Sequence, residues 1–461
     1  MRPLYCYYGD DFTGSTDVLD CLASGGVRSV LFTRVPSPEM LARFADYQAM
    51  GIAGDSRSRT PAEMEAFLPG VFELLKSLGA RVAHYKVCST FDSSPERGSI
   101  GRAMEIGRMV FGGPVPIVVG APHLGRYVVF GNLFARAGDA VYRIDRHPTM
   151  RCHPVTPMTE ADLRLHLSMQ TPLRIALMDL PTLQAANGGA ALDALVRDGA
   201  EAVLFDGADE ASLRETGRVI WERAWEHAPE RQLFAIGSSG LTCSLIPQWR
   251  AASLLDDSTA CNKSAAAEKL AGERLAAVEK SAAPEKPAAV DAVLALSGSC
   301  SPVTAGQIEW ALANGYAEVK IDAARLLDAA AGGPAQMEYA RAAVEALRRG
   351  RSVVAYTALG PLKSGAAAHG DDLGVAMGQL LREIVLQSGV RRVVLAGGDT
   401  SSHAASVLGF DALTWMAMIE PGAPLCRAYC GNALLDGLEI VMKGGQVGHE
   451  DFFERVRRGG A

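Results

Sequence analysis

The chain has 461 residues, of which 48% are hydrophobic and 21% charged, with nine cysteines and a formal net charge of −7. That length exceeds what one hydrophobic core usually organises, so two domains are expected, and the acidic balance gives no reason to expect nucleic acid or a membrane surface as a partner. No apolar run approaches the roughly 20 residues of a membrane span, no Cys-x-x-Cys pair occurs, and the first strand begins too early to leave room for a signal peptide; a soluble, reduced, cytoplasmic protein is expected.

Leu4 to Tyr8 is a short run of β-forming residues and reads as the first strand. Gly9 breaks it, Asp10 and Asp11 follow, and Thr13-Gly14-Ser15-Thr16 supplies capping hydroxyls before Val18, Leu19 and Leu22 resume at helical spacing. Further strands are expected over Ser29–Phe32, Gln48–Ile52, Arg81–Lys86, Pro116–Val119, Ile175–Met178, Ala202–Phe205 and Leu233–Ile236, with helices over Ala62–Leu78 and Ile100–Val110. Strand and helix in alternation, with polar, glycine-rich strand ends, indicate a parallel α/β sheet. From about Ser253 to Ala289 the composition shifts to Ala, Glu, Lys, Asp and Ser with two prolines, which reads as a linker. The pattern then restarts with strands over Ala292–Leu296, Val319–Ile321, Ser352–Tyr356, Arg392–Ala396 and Glu439–Met442, and helices over Val303–Asn314, Met337–Arg348 and Gly378–Gln387. The expected organisation is therefore α/β in two domains, 1–252 and 290–461, each with a mainly parallel sheet flanked by helices and joined by residues 253–289.

Open parallel sheets bind ligands at the carboxyl ends of their strands, which is where Asp10 and Asp11 fall. The bland alternative makes Asp10 a turn residue and Asp11 a helix cap. The first half also places Asp55-Ser56-Arg57, Lys86 with Ser89, and Gly125-Arg126 at strand ends. Arg can grip a carboxylate with two prongs, and Asp can accept a proton or hydroxyl hydrogen bonds, so this set suits a small polyhydroxylated anion. In the second half, Ser297-Gly298-Ser299, Gly397-Gly398-Asp399-Thr400-Ser401 and Lys443-Gly444-Gly445 are three glycine-rich turns at strand ends. Such turns let an anion approach backbone N–H groups at a helix start, and together they point to phosphate. Neither Gly-x-x-x-x-Gly-Lys-Ser/Thr nor Gly-x-Gly-x-x-Gly after the first strand occurs, which argues against an ordinary P-loop kinase and a dinucleotide dehydrogenase. His147, Cys152 and His153 match no standard zinc spacing, so no metal site is expected.

Several of these stretches resemble one family. Gly9-Asp10-Asp11-Phe12-Thr13-Gly14-Ser15-Thr16-Asp17 is similar to the Asp-Asp-x-Thr-Gly motif of the four-carbon acid sugar kinases. Asp55-Ser56-Arg57, Gly125-Arg126, the stretch His153 to Glu160, Gly237-Ser238-Ser239-Gly240-Leu241, Gly298-Ser299-Cys300-Ser301 and Gly397 to Ser401 follow in the same order over essentially the whole chain. The resemblance implies an N-terminal domain that holds a sugar acid and a C-terminal domain that binds ATP. It implies ATP-dependent phosphorylation of a hydroxyl of a tetronate or 3-oxo-tetronate, or in a related branch of 3-oxo-isoapionate, between the two domains. One stretch departs: where the family shows Lys-x-Asp-Ser-Thr-x-Arg-Gly, this chain has Lys86-Val87-Cys88-Ser89-Thr90-Phe91-Asp92-Ser93.

The resulting expectation assigns Asp10 and Asp11 to catalysis and Thr13, Asp55, Arg57, Lys86, Ser89 and Arg126 to the acid. Ser297, Ser299, Gly397, Gly398, Asp399, Thr400, Gly444 and Gly445 are assigned to ATP, with Mg²⁺ bridging its phosphates. Two alternatives are a silent nucleotide-linked sugar-acid sensor and an NAD(P)-dependent oxidoreductase. A homodimer is expected only because twofold assemblies are common.

Overall fold

The structure, a computed structural model, describes residues 2–153, 155–185, 187–226, 232–255, 287–328, 330, 332–360, 370–397 and 404–460. Most of the expected linker lies outside these residues, as do Gly398, Asp399 and Thr400.

In the N-terminal half the strands are β1 (Tyr5–Gly9), β2 (Ser29–Phe32), β3 (Ala49–Ala53), β4 (Val82–Lys86), β5 (Val115–Val118), β6 (Arg126–Val129), β7 (Asn132–Ala137), β8 (Ala140–Arg143), β9 (Ile175–Met178), β10 (Ala202–Phe205) and β11 (Leu233–Gly237). In the C-terminal half they are β12 (Leu294–Ser297), β13 (Ala317–Lys320), β14 (Val353–Tyr356), β15 (Arg392–Ala396), β16 (Ala412–Glu420), β17 (Ala423–Tyr429) and β18 (Glu439–Lys443). The expected strands are present within a few residues of their expected ends. Most are short, fully buried and apolar, as strands covered by helices on both faces must be.

Two features depart from expectation. Strands β6, β7 and β8 form a separate antiparallel sheet after β5. The other fifteen form one continuous sheet in the order β13-β14-β12-β15-β18-β17-β16-β2-β3-β1-β4-β11-β5-β10-β9. The junction is the long hairpin β16–β17, whose β16 pairs antiparallel with β2 of the other half through Ala412↔Phe32, Leu413↔Leu31 and Thr414↔Val30. Two register shifts in β16, after Trp415 and after Met418, mark bulges that add twist at the seam. The Trp415 indole donates to Asp20 Oδ1 at 2.8 Å, pinning β16 to the helix Phe12–Ser24.

The hydrophobic core follows the sheet. One buried cluster runs along a single face through both halves, from Tyr5, Leu19, Leu22 and Trp249 to Leu413, Met442, Leu395 and Leu296. The opposite face is covered by separate clusters, one around Tyr8, Phe72 and Phe234, the other around Ile308, Phe452 and Phe453. Because β17 is antiparallel to both its neighbours and β16 is antiparallel to β2, the parallel strands of the two halves run in opposite senses. Among the described residues no helix is long and apolar enough to cross a membrane.

Candidate functional site

The N-terminal cluster is set by strand register. Gly9 of β1 pairs with Lys86 of β4, and Lys86 with Gly237 of β11, so the residues that follow emerge at one level of the carboxyl edge. The Asp10 N–H donates to the Lys86 carbonyl at 2.9 Å, which holds the carboxylate just beyond the sheet. Asp11 caps the helix Phe12–Ser24 by accepting from Gly14 N–H at 2.8 Å. The short 3-10 turn Ser56–Ser58 follows β3, and its Arg57 N–H donates to the Asp10 carbonyl at 3.1 Å.

Arg57 then bridges the two acids. Its Nε and Nη2 donate to the two Asp10 oxygens at 3.1 and 2.7 Å, while Nη1 donates to Asp11 Oδ2 at 2.9 Å. Asp10 is 4% exposed and Arg57 24%, so the acid end of this forked pair lies almost out of water. Burial pushes the Asp10 carboxyl up to about 6; Arg57 opposes that rise and the Asp11 charge adds to it. A buried carboxylate that is ionised at neutral pH but sits close to its titration point is suited to take up a proton. Lys86, 2% exposed, brings its ammonium to 3.9 Å from Asp17 Oδ2. That approach depends on Gly14: a Cβ there would stand 2.7 Å from Lys86 Nζ and 2.4 Å from Asp11 Oδ1.

The departing loop supplies another acid. Asp92 is buried, accepts from the Thr90 hydroxyl at 2.5 Å, and lies close enough to Arg57 to feel its charge. Burial works against ionisation, yet Arg57 and Thr90 outweigh it and hold this carboxyl below its usual range. The Thr90 hydroxyl also stands 2.9 Å from the Cys88 sulfur, so Asp92 lies beside the position where the family motif carries an acid. Phe91, buried with φ of 57°, makes the turn that aims Asp92 inward.

The other N-terminal candidates are placed differently. Thr13 lies in the first helical turn, where its carbonyl accepts from the Thr16 hydroxyl. Ser89 occupies the turn after β4, half-buried. Asp55 turns away, pairing with Arg59 through two bonds of 2.7 and 3.0 Å at the surface. The Arg126 guanidinium donates to the Leu124 carbonyl of its own loop at 2.6 Å, and its Nε is buried without a partner among the described residues. Sequence reasoning missed Asp17 and Asp92. Asp17 was legible, standing one helical turn beyond Thr13 on the same face; Asp92 was not, because its approach depends on the unusual turn at Phe91.

In the C-terminal half, three glycine-rich junctions meet at Ser299. Gly397, φ 116°, follows β15 and packs so closely that a Cβ would stand 3.2 Å from Ser299 N; one at Gly445, after β18, would stand 2.6 Å from Ser299 Oγ. Ser297, Ser299 and Ser301 accept in turn from the N–H groups of Ser299, Ser301 and Val303, which leads the chain into the helix Pro302–Ala313. Thr304 of that helix donates to the Gly445 carbonyl at 2.8 Å and accepts from buried Lys443 Nζ at 3.0 Å. Gly444 accepts from Val447 N–H at the start of the same turn. The result is a backbone-walled surface at a helix start, which suits phosphate oxygens. A surface cavity of about 500 Å³ lined by Arg391, Arg427, Tyr429 and Glu439 lies at the opposite strand ends and touches neither cluster.

An α/β chain with an acid–arginine cluster in one half and a glycine-walled, serine-capped junction in the other has the parts of a phosphotransferase with separate acceptor and nucleotide modules. The comparisons with known proteins agree. Residues 5–245 match a family described as a sugar-binding N-terminal domain, and residues 294–453 one described as a nucleotide-binding C-terminal domain. A 3-oxo-isoapionate kinase from Paraburkholderia graminis is 45% identical, covering 99% of this chain and 94% of that protein. A 3-oxo-tetronate kinase from Methylobacterium radiotolerans is 32% identical, covering 97% of each. Among solved structures, a Salmonella typhimurium protein described as a putative tRNA synthase superposes with a TM-score of 0.76 at 25% identity over 98% of both chains. The chain belongs to the four-carbon acid sugar kinase family.

Proposed function

We propose that this protein transfers the terminal phosphoryl group of ATP to a hydroxyl of 3-oxo-isoapionate or a closely similar branched 3-oxo sugar acid. The observation that carries the choice of substrate is the 45% identity over 99% of the chain to a kinase of that acid, against 32% to a 3-oxo-tetronate kinase. The departure at Cys88, Asp92 and Ser93 supports an acceptor pocket remodelled from that of the unbranched acids.

In this reading the acid lies against the Asp10–Arg57–Asp11 cluster, with Lys86 and Arg126 supplying positive charge for its carboxylate. Asp10 accepts the proton of the attacking hydroxyl, and Arg57 keeps Asp10 ionised and aimed. ATP lies on the surface formed by Ser297, Ser299, Gly397 and Gly445, with Gly398, Asp399, Thr400 and Gly444 as further candidates. Asp10 and Asp11 are already engaged by Arg57. A magnesium ion therefore suits this site best as one carried on the ATP phosphates with most of its waters, offsetting their charge. The two clusters belong to halves whose strands run in opposite senses. In this reading the sheet twist of about 20–25° per strand, over the six steps from β15 to β1, is what would bring their carboxyl edges together. The reaction then takes place between the halves and requires them to close.

ADP formation with Mg²⁺ across 3-oxo-isoapionate, 3-oxo-tetronate, D-erythronate, D- and L-threonate and neutral sugars tests this directly. Turnover fastest with 3-oxo-isoapionate and absent with neutral sugars is expected. Faster turnover with an unbranched tetronate would overturn the substrate; ATP binding with no turnover on any acid would favour a sensor.

A further inference from the structure

Away from both clusters, three soft donors converge. Cys21 lies in the helix Phe12–Ser24, Cys243 in the helix Ser239–Ala251, and His123 in the short turn Pro122–Leu124. One ligand atom from each falls within 4.8 Å of the other two, and this is the only such group of three or more His, Cys, Asp or Glu side chains among the described residues. The two sulfurs are 2.9 Å apart although their residues are 222 positions apart in the chain. That separation is well beyond the ~2.05 Å of a disulfide bond, and both thiols are free. The three elements leave the carboxyl ends of β1, β11 and β5, so the sheet order itself delivers the donors to one place. Cysteine packs between helices as a small hydrophobe, but packing gives no reason to set an exposed imidazole beside a thiol pair. Contact with Cys243 and burial push the Cys21 thiol well up, while His123 opposes the rise. Both cysteines are half-buried and His123 is exposed, so a solvated ion can reach the group from outside.

We propose that Cys21, His123 and Cys243 form a three-ligand site for a thiophilic divalent cation of the zinc class, with the fourth position open to water. Zinc binds thiolate sulfur at about 2.3 Å and imidazole nitrogen at about 2.0–2.1 Å, usually in a tetrahedron. Two sulfurs on one such ion stand about 3.8 Å apart, so the ion enters as the two sulfurs part by about 1 Å. Each thiol gives up its proton to solvent as its metal–sulfur bond forms. The bound ion would clamp the helix that Asp11 caps to the helix that begins at Ser239. It would lie one turn beyond Asp17, the acid nearest Lys86. No step of phosphoryl transfer passes through it. Sequence inspection had no route to this site, since its spacing matches no zinc motif and only the fold brings the three residues together.

The test is titration of the full-length, chemically reduced protein with Co²⁺. One equivalent should produce an intense thiolate-to-cobalt band in the near ultraviolet, displaced by Zn²⁺. Cys243→Ser and His123→Ala should each weaken binding at least tenfold while far-ultraviolet circular dichroism stays native. Zn²⁺ should also raise Tm in the wild type and not in Cys243→Ser. Absence of the band would overturn the proposal, as would a full-strength band in the Cys21→Ser/Cys243→Ser double variant. So would a Cys21–Cys243 disulfide in protein purified without reductant that binds no Co²⁺ once reduced.

Discussion

At Asp10 two effects oppose each other, and their balance gives a pH prediction. Burial raises the carboxyl and the Arg57 fork lowers it, and the outcome is near 6, above the ordinary value of 3.8. A group required as carboxylate is lost when it protonates, so kcat/KM should decline as pH falls through about 6 and be flat between there and neutrality. Asp10→Asn should remove this acid limb; an unchanged limb in the variant would assign it to another group. At this scale the sequence was a good guide wherever a charged residue directly follows a strand, because the carboxyl edge leaves such a side chain little choice of direction. Asp10 and Asp11 are of this kind; Lys86 ends β4 itself, and Arg57, in the turn four residues past β3, joins them through its bonds to both acids. Asp55 is not: its carboxylate lies within reach of Arg59 one helical turn later, and that local pairing wins. Asp92 escaped because a buried phenylalanine at positive φ is not a turn that composition predicts.

At the scale of elements, the three glycine-rich junctions act together because Ser299 sits between two of them. Gly445→Ala would place a methyl group 2.6 Å from Ser299 Oγ and 3.0 Å from Ser301 Cβ. We expect KM for ATP to rise tenfold or more with KM for the acid little changed; equal effects on both would mean that the turn does not belong to the nucleotide site. Lys443 in β18 offers a stability test. Burial lowers its ammonium to about 8 from an ordinary 10.5. Between those values the unfolded chain holds a proton that the folded chain has shed, so stability from this group rises with pH across the window. Relative to Lys443→Met, the wild type should therefore gain up to about 3 kcal/mol from pH 8 to 10.5, measured by urea unfolding; a pH-independent difference would contradict this. The parallel strands were legible as short apolar runs ending in glycine or serine. The hairpin β16–β17 was not, because half-buried Thr414, Trp415, Met416, Ala417 and Met418 face a helix and a seam rather than a uniform core and show no clean alternation.

At the scale of the whole molecule, the expectation of two sheets holds for the parallel strands of each half, but the hairpin fuses them into one fifteen-stranded sheet with a core cluster common to both. The seam rests on three residue pairs between β2 and β16 and on contacts such as Trp415 to Asp20. The closure that the proposed function requires would therefore take the form of added twist and bend at the bulged hairpin. Small-angle scattering should show a smaller radius of gyration with acid and a non-hydrolysable ATP analogue together than with either alone; an unchanged radius would contradict closure. In the proposed reaction the buried Asp10, held by Arg57, is the base. The most direct test of this role is the rate of ADP formation from 3-oxo-isoapionate and saturating Mg·ATP, wild type against Asp10→Asn, with ATP affinity measured in parallel. A loss in kcat of tenfold or more at unchanged ATP affinity is expected; turnover in Asp10→Asn within a factor of three of wild type would assign the base to another group.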